Sequence, residues 1–184
     1  LMKEGCYTLA NATNAIFRSG CEYAKTTTLT ECMLQCDSTR GQMTIFGGND
    51  GFYTNDAFTL NLFTNVWSPL STSGTPPSQR SEHSVIHYTD ASGTPFMIIF
   101  GGWDRTGRVK DTFTLNLITN VWSPLSTSGI APSKRNSHPA IHWMNASGTP
   151  FMAIFGGYDG SSRLNDAFTL NLITNVWSPL STSG

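Results

Sequence analysis

A single unit occurs three times along this chain and constrains its fold more than any other feature. The third copy runs from Phe151 to Gly184 and reads FMAIFGGYDGSSRLNDAFTLNLITNVWSPLSTSG. The same order of apolar run, Gly-Gly pair, polar loop, alternating run and Trp occurs at 96–129 and at 43–74. A period of about 50 residues is typical of repeat proteins in which each copy is one structural unit. We therefore expect a tandem-repeat architecture.

The hydrophobic pattern within each copy indicates β-strands. The apolar run before each Gly-Gly pair is continuous, which predicts a strand buried on both faces. The run after the loop alternates, so Phe58 and Leu60 share one face and Thr59 the other. The Pro after each Trp-Ser lacks a ladder donor and favours an outermost strand. We predict an all-β fold.

The segments between the copies supply one more strand to each following unit. Arg80–Tyr88 and Arg135–Met144 have the required length and pattern, and each is followed by turn-forming residues. No such strand precedes the first copy. We expect four-stranded second and third units, and a first unit that is one strand short.

The same segments also carry a motif. Arg80-Ser-Glu-His83 matches Arg135-Asn-Ser-His138, and each follows a proline by a fixed spacing. Together with the Gly-Gly pair, a later aromatic and the Trp, this motif resembles the kelch repeat. The resemblance implies tandem blades of a partial or oligomer-completed β-propeller, divided at 43–79, 80–134 and 135–184. Where that family usually has Tyr, this chain has Phe at 58, 113 and 168.

Residues 1–42 do not follow the repeat and are expected to form a small N-terminal cap. Thr28-Leu-Thr-Glu31 has the pattern of a capping box and predicts a short helix from Leu29 to Cys36. The Gly-Cys-Tyr-Thr opening and the spacing of the last two cysteines resemble WSC or PAN/apple modules. That resemblance implies an extracellular module that often binds carbohydrate. The alternative is a disulfide-bonded cap on the first repeat.

The cysteines and sequons predict an oxidising location. All 4 cysteines precede the repeats, at Cys6, Cys21, Cys32 and Cys36. An even, clustered set predicts two disulfides in a secreted or cell-surface chain. A zinc site is the alternative, but the spacings fit no familiar zinc pattern. Candidate N-glycosylation sites at Asn11 and Asn145 agree with secretion.

Composition excludes some functions. Charged residues make up 12% of the chain and the net charge is −1, against about 25% charged residues in an average soluble protein. Such a balance does not attract nucleic acid or an anionic membrane. The apolar runs are also too short to form a membrane-spanning helix.

The loop after each Gly-Gly pair is the candidate binding face. This loop differs between copies, whereas 114–129 and 169–184 are identical. Loops on a rigid scaffold commonly carry recognition. Aromatic and polar side chains that could contact a sugar or a peptide are Trp103, Asp104, Arg105, Tyr158 and Asp159. The alternative is that the two aromatic residues pack against the next blade.

Two further series of polar residues recur with the repeat. His83 and His87 share one strand face, and His138 and His142 repeat them. Four imidazoles on facing strands would suit a metal, but equivalent residues of adjacent blades usually lie too far apart, so we predict no metal. Asp56, Asp111 and Asp166 are interpreted as turn-forming carboxylates.

These observations favour a non-catalytic protein. No catalytic constellation or phosphate-binding loop is recognised, and we predict no catalytic residue and no cofactor. The function predicted is an extracellular structural or interaction protein. Three blades cannot close a ring, so we expect either that more repeats follow in a longer gene product or that several chains complete one another as a homo-oligomer or filament. The alternatives are a carbohydrate-binding module and a fragment of a kelch-type propeller enzyme such as an oxidase.

Overall fold

The all-β prediction is confirmed. A computed structural model describes residues 33–37, through their backbone, and residues 41–181. These described residues form strands β1 to β17 and contain no helix. Three larger sheets follow one another along the chain, and nearly all of their neighbouring strands are antiparallel. No described residue belongs to a helix long and apolar enough to cross a membrane.

The first sheet has four strands in the order β1-β2-β3-β4. Their bounds are β1 Met33–Asp37, β2 Gln42–Asn49, β3 Tyr53–Asn61 and β4 Val66–Pro69. Each strand pairs antiparallel with its neighbour in the chain. This up-and-down order is the one expected of a propeller blade.

The second sheet has the order β5-β12-β11-β8-β7, and a smaller sheet beside it has the order β10-β9-β6. The strands are β5 Ser73–Gly74, β6 Arg80–Ser81, β7 Ser84–Thr89, β8 Pro95–Phe100, β9 Trp103–Asp104, β10 Gly107–Arg108, β11 Thr112–Asn116 and β12 Val121–Pro124. The small sheet joins the motif of 80–83 to the loop after the Gly-Gly pair.

The third sheet repeats the second, with the order β13-β17-β16-β15-β14. Its strands are β13 Ser128–Gly129, β14 Ala140–Met144, β15 Pro150–Tyr158, β16 Arg163–Asn171 and β17 Val176–Pro179. In both sheets a two-residue strand from the preceding unit pairs parallel with the Val-Trp of the outer strand. The Trp-Ser-Pro strand is therefore outermost in the first sheet, as predicted. In the other two sheets the two-residue strand lies outside it, so the prediction is wrong there.

The prediction of a helix from Leu29 to Cys36 is wrong for its described part. Met33–Asp37 is strand β1, which pairs with β2 from Met33↔Phe46 to Asp37↔Gln42. Without β1 the edge of β2 would leave a row of unpaired N–H and C=O groups. Pairing with the adjacent strand outweighs the local capping signal. Strand β1 also gives the first sheet four strands. Our expectation that this sheet is one strand short is therefore wrong.

Most of the predicted N-terminal cap lies outside the described residues. This applies to Cys6, Cys21, Cys32 and the sequon at Asn11, while Cys36 is described only as backbone within β1. The disulfides and the occupancy of Asn11 stay predictions.

Two apolar cores lie between successive sheets. The first joins Phe46 and Ala57 of the first sheet to second-sheet residues that include Leu115 and Trp122. The next joins second-sheet residues such as Phe100 to the third sheet. A middle sheet buried on both faces accounts for the continuous apolar run of β8, in which 97–100 are all buried.

Candidate functional site

A fully buried arginine opens the second sheet. Arg80 has no solvent exposure, and its Nη1 donates a hydrogen bond to the carbonyl of Gly101 over 3.0 Å. Its two terminal nitrogens also donate to the carboxylate of Asp111, at 2.5 Å and 2.9 Å. The guanidinium lies 5.6 Å from the ring centroid of Phe113. A buried guanidinium needs such partners, because removing its hydration costs several kcal/mol.

The third sheet repeats this arrangement atom for atom. Arg135 donates to the carbonyl of Gly156 over 2.9 Å, and to both carboxylate oxygens of Asp166 over 2.6 Å and 2.9 Å. Its guanidinium lies 5.4 Å from the ring of Phe168. The hydrogen bond from Arg135 lowers the pKa of Asp166, and it outweighs burial, which raises it. The Phe that replaces the usual Tyr thus contributes its ring face.

The interpretation of the repeated aspartates as turn formers is wrong for Asp111 and Asp166. Both are ion-pair partners of the motif arginines. The sequence contained a signal for this pairing, because Arg80 and Asp111 recur with the same separation as Arg135 and Asp166. Asp56, the equivalent residue of the first sheet, is exposed.

The motif histidines are buried between sheets. His83 lies edge-on to Phe46 with ring centroids 5.7 Å apart, and His138 lies likewise 5.4 Å from Phe100. The Nε2 of His138 and the Oγ of Ser84 are hydrogen-bonded at 2.9 Å. The backbone of Gly102 passes so close that an added Cβ would lie 2.9 Å from the Cβ of His83. The Gly-Gly pair therefore makes room for the motif.

Burial keeps these two imidazoles neutral. Desolvation, followed by the charge of Arg80, lowers the pKa of His83 to about 3. Desolvation and the charge of Arg135 lower the pKa of His138 to about 4. Within 33–37 and 41–181, no three His, Cys, Asp or Glu residues are placed to hold a metal ion.

The two loop aromatics enclose an arginine. The guanidinium carbon of Arg108 lies 4.1 Å from the ring centroid of Trp103 and 4.4 Å from that of Tyr158. Its Nε donates to the Oδ1 of Asn136 over 2.7 Å. Trp103 and Arg108 belong to the second repeat, whereas Tyr158 and Asn136 belong to the third. The aromatic residues thus contact across the blades through a cation, which sequence reasoning did not foresee.

The other predicted loop residues form turns or face solvent. Asp104 is buried, and its Oδ1 accepts hydrogen bonds from the backbone and side chain of Thr106, both over 2.7 Å. Asp159 makes the equivalent turn with Ser161 and Ser162, and hydrogen bonds from these backbone amides lower its pKa to about 2. Arg105 is exposed. Carbohydrate binding at these loops stays a prediction.

The sequon at Asn145 lies in a turn that links β14 to β15. Its Oδ1 accepts hydrogen bonds from the backbone of Ser147 over 3.1 Å and of Thr149 over 2.8 Å. Asp90 closes the equivalent turn of the second sheet with the same pattern. The turn therefore uses the side-chain oxygen and not the amide nitrogen to which a glycan would be attached.

The outward face of the third sheet is apolar and uncovered. Phe155 is 52% exposed, whereas the equivalent Phe46 and Phe100 are fully buried. Ile141 is 61% exposed, whereas the equivalent Ile86 is 2% exposed. Trp143 lies on the same face, stacked on Phe151. This set of residues, which we call the third-sheet face, is Ile141, Trp143, Phe151 and Phe155.

Comparisons with known proteins agree with this architecture. The KLHDC2/KLHL20/DRC7 Kelch-repeats domain matches residues 7–184. The chain is 31% identical to the leucine-zipper-like transcriptional regulator 1 homolog of Drosophila melanogaster, over 91% of the chain and 18% of that protein. It is 34% identical to human host cell factor 2, over 81% of the chain and 20% of that protein. It is 30% identical to rat kelch domain-containing protein 10, over 74% of the chain and 33% of that protein.

The chain thus spans a third or less of each of these relatives. In this chain the repeat carries the Gly-Gly pair, the Arg-x-x-His motif and the Trp in fixed order. Kelch repeats build β-propellers that serve as protein-interaction modules. The chain belongs to the kelch-repeat family and contains a kelch protein-interaction domain.

Proposed function

We propose that this chain is a non-catalytic interaction protein that self-assembles, with the third-sheet face of one copy receiving a kelch sheet of a second copy. The exposure of Phe155 is the observation that carries the proposal. An exposed apolar set of this kind marks an interaction site more often than an isolated exposed residue does.

At both described interfaces between sheets, the Phe of one sheet contacts a Trp of the following sheet. Phe46 contacts Trp122 of the following sheet with ring centroids 4.8 Å apart. Phe100 contacts Trp177 of the following sheet with ring centroids 5.0 Å apart. Phe155 is the next member of this series. The partner that suits it is therefore another sheet bearing a Trp at the same position.

A second copy of the chain provides that sheet. Trp67 occupies in the first sheet the position that Trp122 and Trp177 occupy in the other two. A head-to-tail contact would place the first sheet of one copy against the third-sheet face of the next. Such heterologous contacts give a closed ring when the rotation closes and a filament when it does not. Two copies would supply six sheets, a number within the four to eight blades of a typical propeller.

The test measures particle mass by sedimentation for the parent chain, Phe155→Ser and the control Phe52→Ser. Phe52 is 75% exposed but lies in a loop of the first sheet. We expect the parent and Phe52→Ser to sediment as multiples of 20.0 kDa. Phe155→Ser should shift toward the monomer with unchanged circular dichroism. A folded parent chain that stays monomeric at all concentrations would overturn the proposal.

We also propose an extracellular location, supported by the cysteine pattern and by the exposure around the Asn145 turn. Ser147 of this sequon is exposed. Chain expressed through a secretory pathway should lose mass on treatment with N-glycosidase, and Asn145→Gln should remove the part of the loss due to that site. Absence of glycan and of disulfides in chain isolated from its natural source would contradict this location.

A further inference from the structure

A cavity of about 500 Å³ opens beside the end of the second sheet, where the chain passes toward the third. It is lined by Arg108, Val109, Lys110, Asp111, Ser133 and Lys134. Three of these side chains are cationic and one is anionic, although the whole chain has a net charge of −1. Both oxygens of Asp111 already accept hydrogen bonds from Arg80. Among the lining side chains, the charge that remains for a ligand is positive, while the carboxylate of Glu82 accepts a hydrogen bond from Asn136 behind Arg108.

Arg108 is held in one orientation at this cavity. The rings of Trp103 and Tyr158 lie 4.1 Å and 4.4 Å from its guanidinium carbon, and its Nε is bonded to Asn136. Asn136 is itself 4% exposed and therefore gives a fixed anchor. An arginine ordered before binding loses less conformational entropy when a ligand arrives.

The rest of the guanidinium is available for hydrogen bonding. A guanidinium has five N–H donors, and Nε supplies one of them. Within the described residues, Nη1 and Nη2 of Arg108 donate no hydrogen bond. Gly160 lets the guanidinium approach, because an added Cβ there would lie 2.8 Å from Nη1. Planar, preorganised N–H pairs match the two oxygens of a carboxylate or phosphate.

Two lysines add positive charge around the Arg108 guanidinium. Lys110 and Lys134 are exposed and line the same cavity. Neither has an ion-pair partner among the residues described. Exposed ammonium groups strengthen association with an anionic segment mainly through long-range attraction, which salt screens.

We propose that this cavity binds an acidic side chain of a peptide segment from a partner protein, and that Arg108 donates hydrogen bonds to the oxyanion. The segment's flanking residues would contact Val109 and the apolar stems of Lys110 and Lys134. The oxyanion is the carboxylate of Asp or Glu or the phosphate of a phosphorylated residue. The inference rests on the proposed role as an interaction protein, but uses a surface separate from the third-sheet face.

The third sheet supplies a matched control. Arg163 pairs with Tyr158 in the register in which Arg108 pairs with Trp103. Arg163 is exposed and lies outside the cavity. Arg108→Gln and Arg163→Gln therefore remove the same charge from equivalent positions. Only Arg108→Gln removes a guanidinium that is held between two aromatic rings.

The test measures fluorescence anisotropy of short labelled peptides that contain Glu, Gln or phosphoserine at one position. We expect the Glu or the phosphoserine peptide to bind the parent chain, and the Gln peptide to bind about tenfold or more weakly. Arg108→Gln should lose the same factor and Arg163→Gln should not. Which of the two acidic peptides binds more tightly identifies the oxyanion.

A second pair of variants keeps the test independent of folding. Lys110→Gln and Lys134→Gln leave the stacked arginine in place, and each should weaken binding severalfold and flatten its dependence on salt. Equal loss in Arg108→Gln and Arg163→Gln, or equal binding of Glu and Gln peptides, would overturn the proposal. So would equal affinity for an oligonucleotide of the same charge. A parent chain that binds the acidic peptide but does not self-associate would overturn the assembly proposal alone.

Discussion

Trp122 of the second sheet packs edge-on against Phe46 of the first, with ring centroids 4.8 Å apart and ring planes inclined by 61°. Trp177 and Phe100 repeat this pair across the next interface. The two aromatic positions that mark the repeat in the sequence are therefore partners across an interface, not within one copy. Each copy depends on its neighbour for the burial of its own Phe.

We predict that Trp122→Ala lowers the free energy of unfolding by about 3–5 kcal/mol, because it leaves a large cavity between two sheets. Trp122 is 1% exposed, so the neighbouring side chains have little room to close that space. Urea denaturation followed by circular dichroism measures the change. Phe52→Ala is the control, since Phe52 is 75% exposed and its removal should cost far less. Equal effects of the two substitutions would contradict the inter-sheet role.

The ion pair between Arg80 and Asp111 gives the next prediction. Asp111→Asn should lower the free energy of unfolding by about 2–3 kcal/mol, because the buried guanidinium loses its charged partner. The figure is below that for a wholly buried pair, since the Asp111 side chain is 43% exposed. Asp50→Asn changes an exposed loop carboxylate and should stay within about 0.5 kcal/mol of the parent. If Asp111→Asn unfolds with the parent, the pair is not stabilising.

Repetition made most of the architecture predictable. The pattern of Phe100, the following Gly-Gly pair and Trp122 recurs in every copy, so one correct interpretation assigns three sheets. The sequence does not indicate strand β1, because the local residues favour a helix cap whereas the strand is stabilised by pairing with β2. The edge of β2 that β1 covers is fixed by the pairing of β2 with β3, and the residues of β1 themselves do not reveal that edge.

The arrangement of the loop side chains is harder to predict from sequence. Trp103 and Tyr158 were recognised as loop aromatics, but the position of Arg108 between them depends on how two sheets pack. Sequence alone also cannot distinguish Arg108 from Arg163, which hold equivalent positions. Arg108 is enclosed because the third sheet follows the second. No described sheet follows the third, and Arg163 is therefore exposed.

The four cysteines give a prediction outside the described side chains. We expect no free thiols, with Cys32 and Cys36 each joined to Cys6 or Cys21. Cys36 lies in the extended strand β1. An extended strand advances by about 3.3 Å per residue, whereas disulfide partners need Cα atoms within about 7 Å, so near neighbours along such a strand are poor partners. Peptide mapping without reduction decides the connectivity, and a Cys32–Cys36 bond would contradict it. Reduction should cost about 2–5 kcal/mol.

The buried histidines predict a loss of stability in mild acid. The pKa values of His83 and His138 are lowered to about 3 and about 4 in the folded chain, from 6.5 in a solvated imidazole. Above pH 6.5 both states hold these rings neutral, so their contribution is fully present. As pH falls below 6.5 the unfolded chain takes up protons that the folded chain does not. Stability should therefore fall by about 1 kcal/mol per pH unit for each ring, down to the folded pKa.

His83→Phe separates this effect from the titration of other groups. Both ring nitrogens of His83 are buried without a hydrogen-bond partner among the described residues, so a Phe ring leaves no new polar group unpaired. Whatever its effect near neutral pH, this variant should lose about half of the pH dependence that the two histidines create between about pH 6.5 and pH 5. Carboxylates titrate mainly below this range. Urea midpoints for both proteins across the range provide the measurement, and parallel curves would show that His83 does not titrate on unfolding.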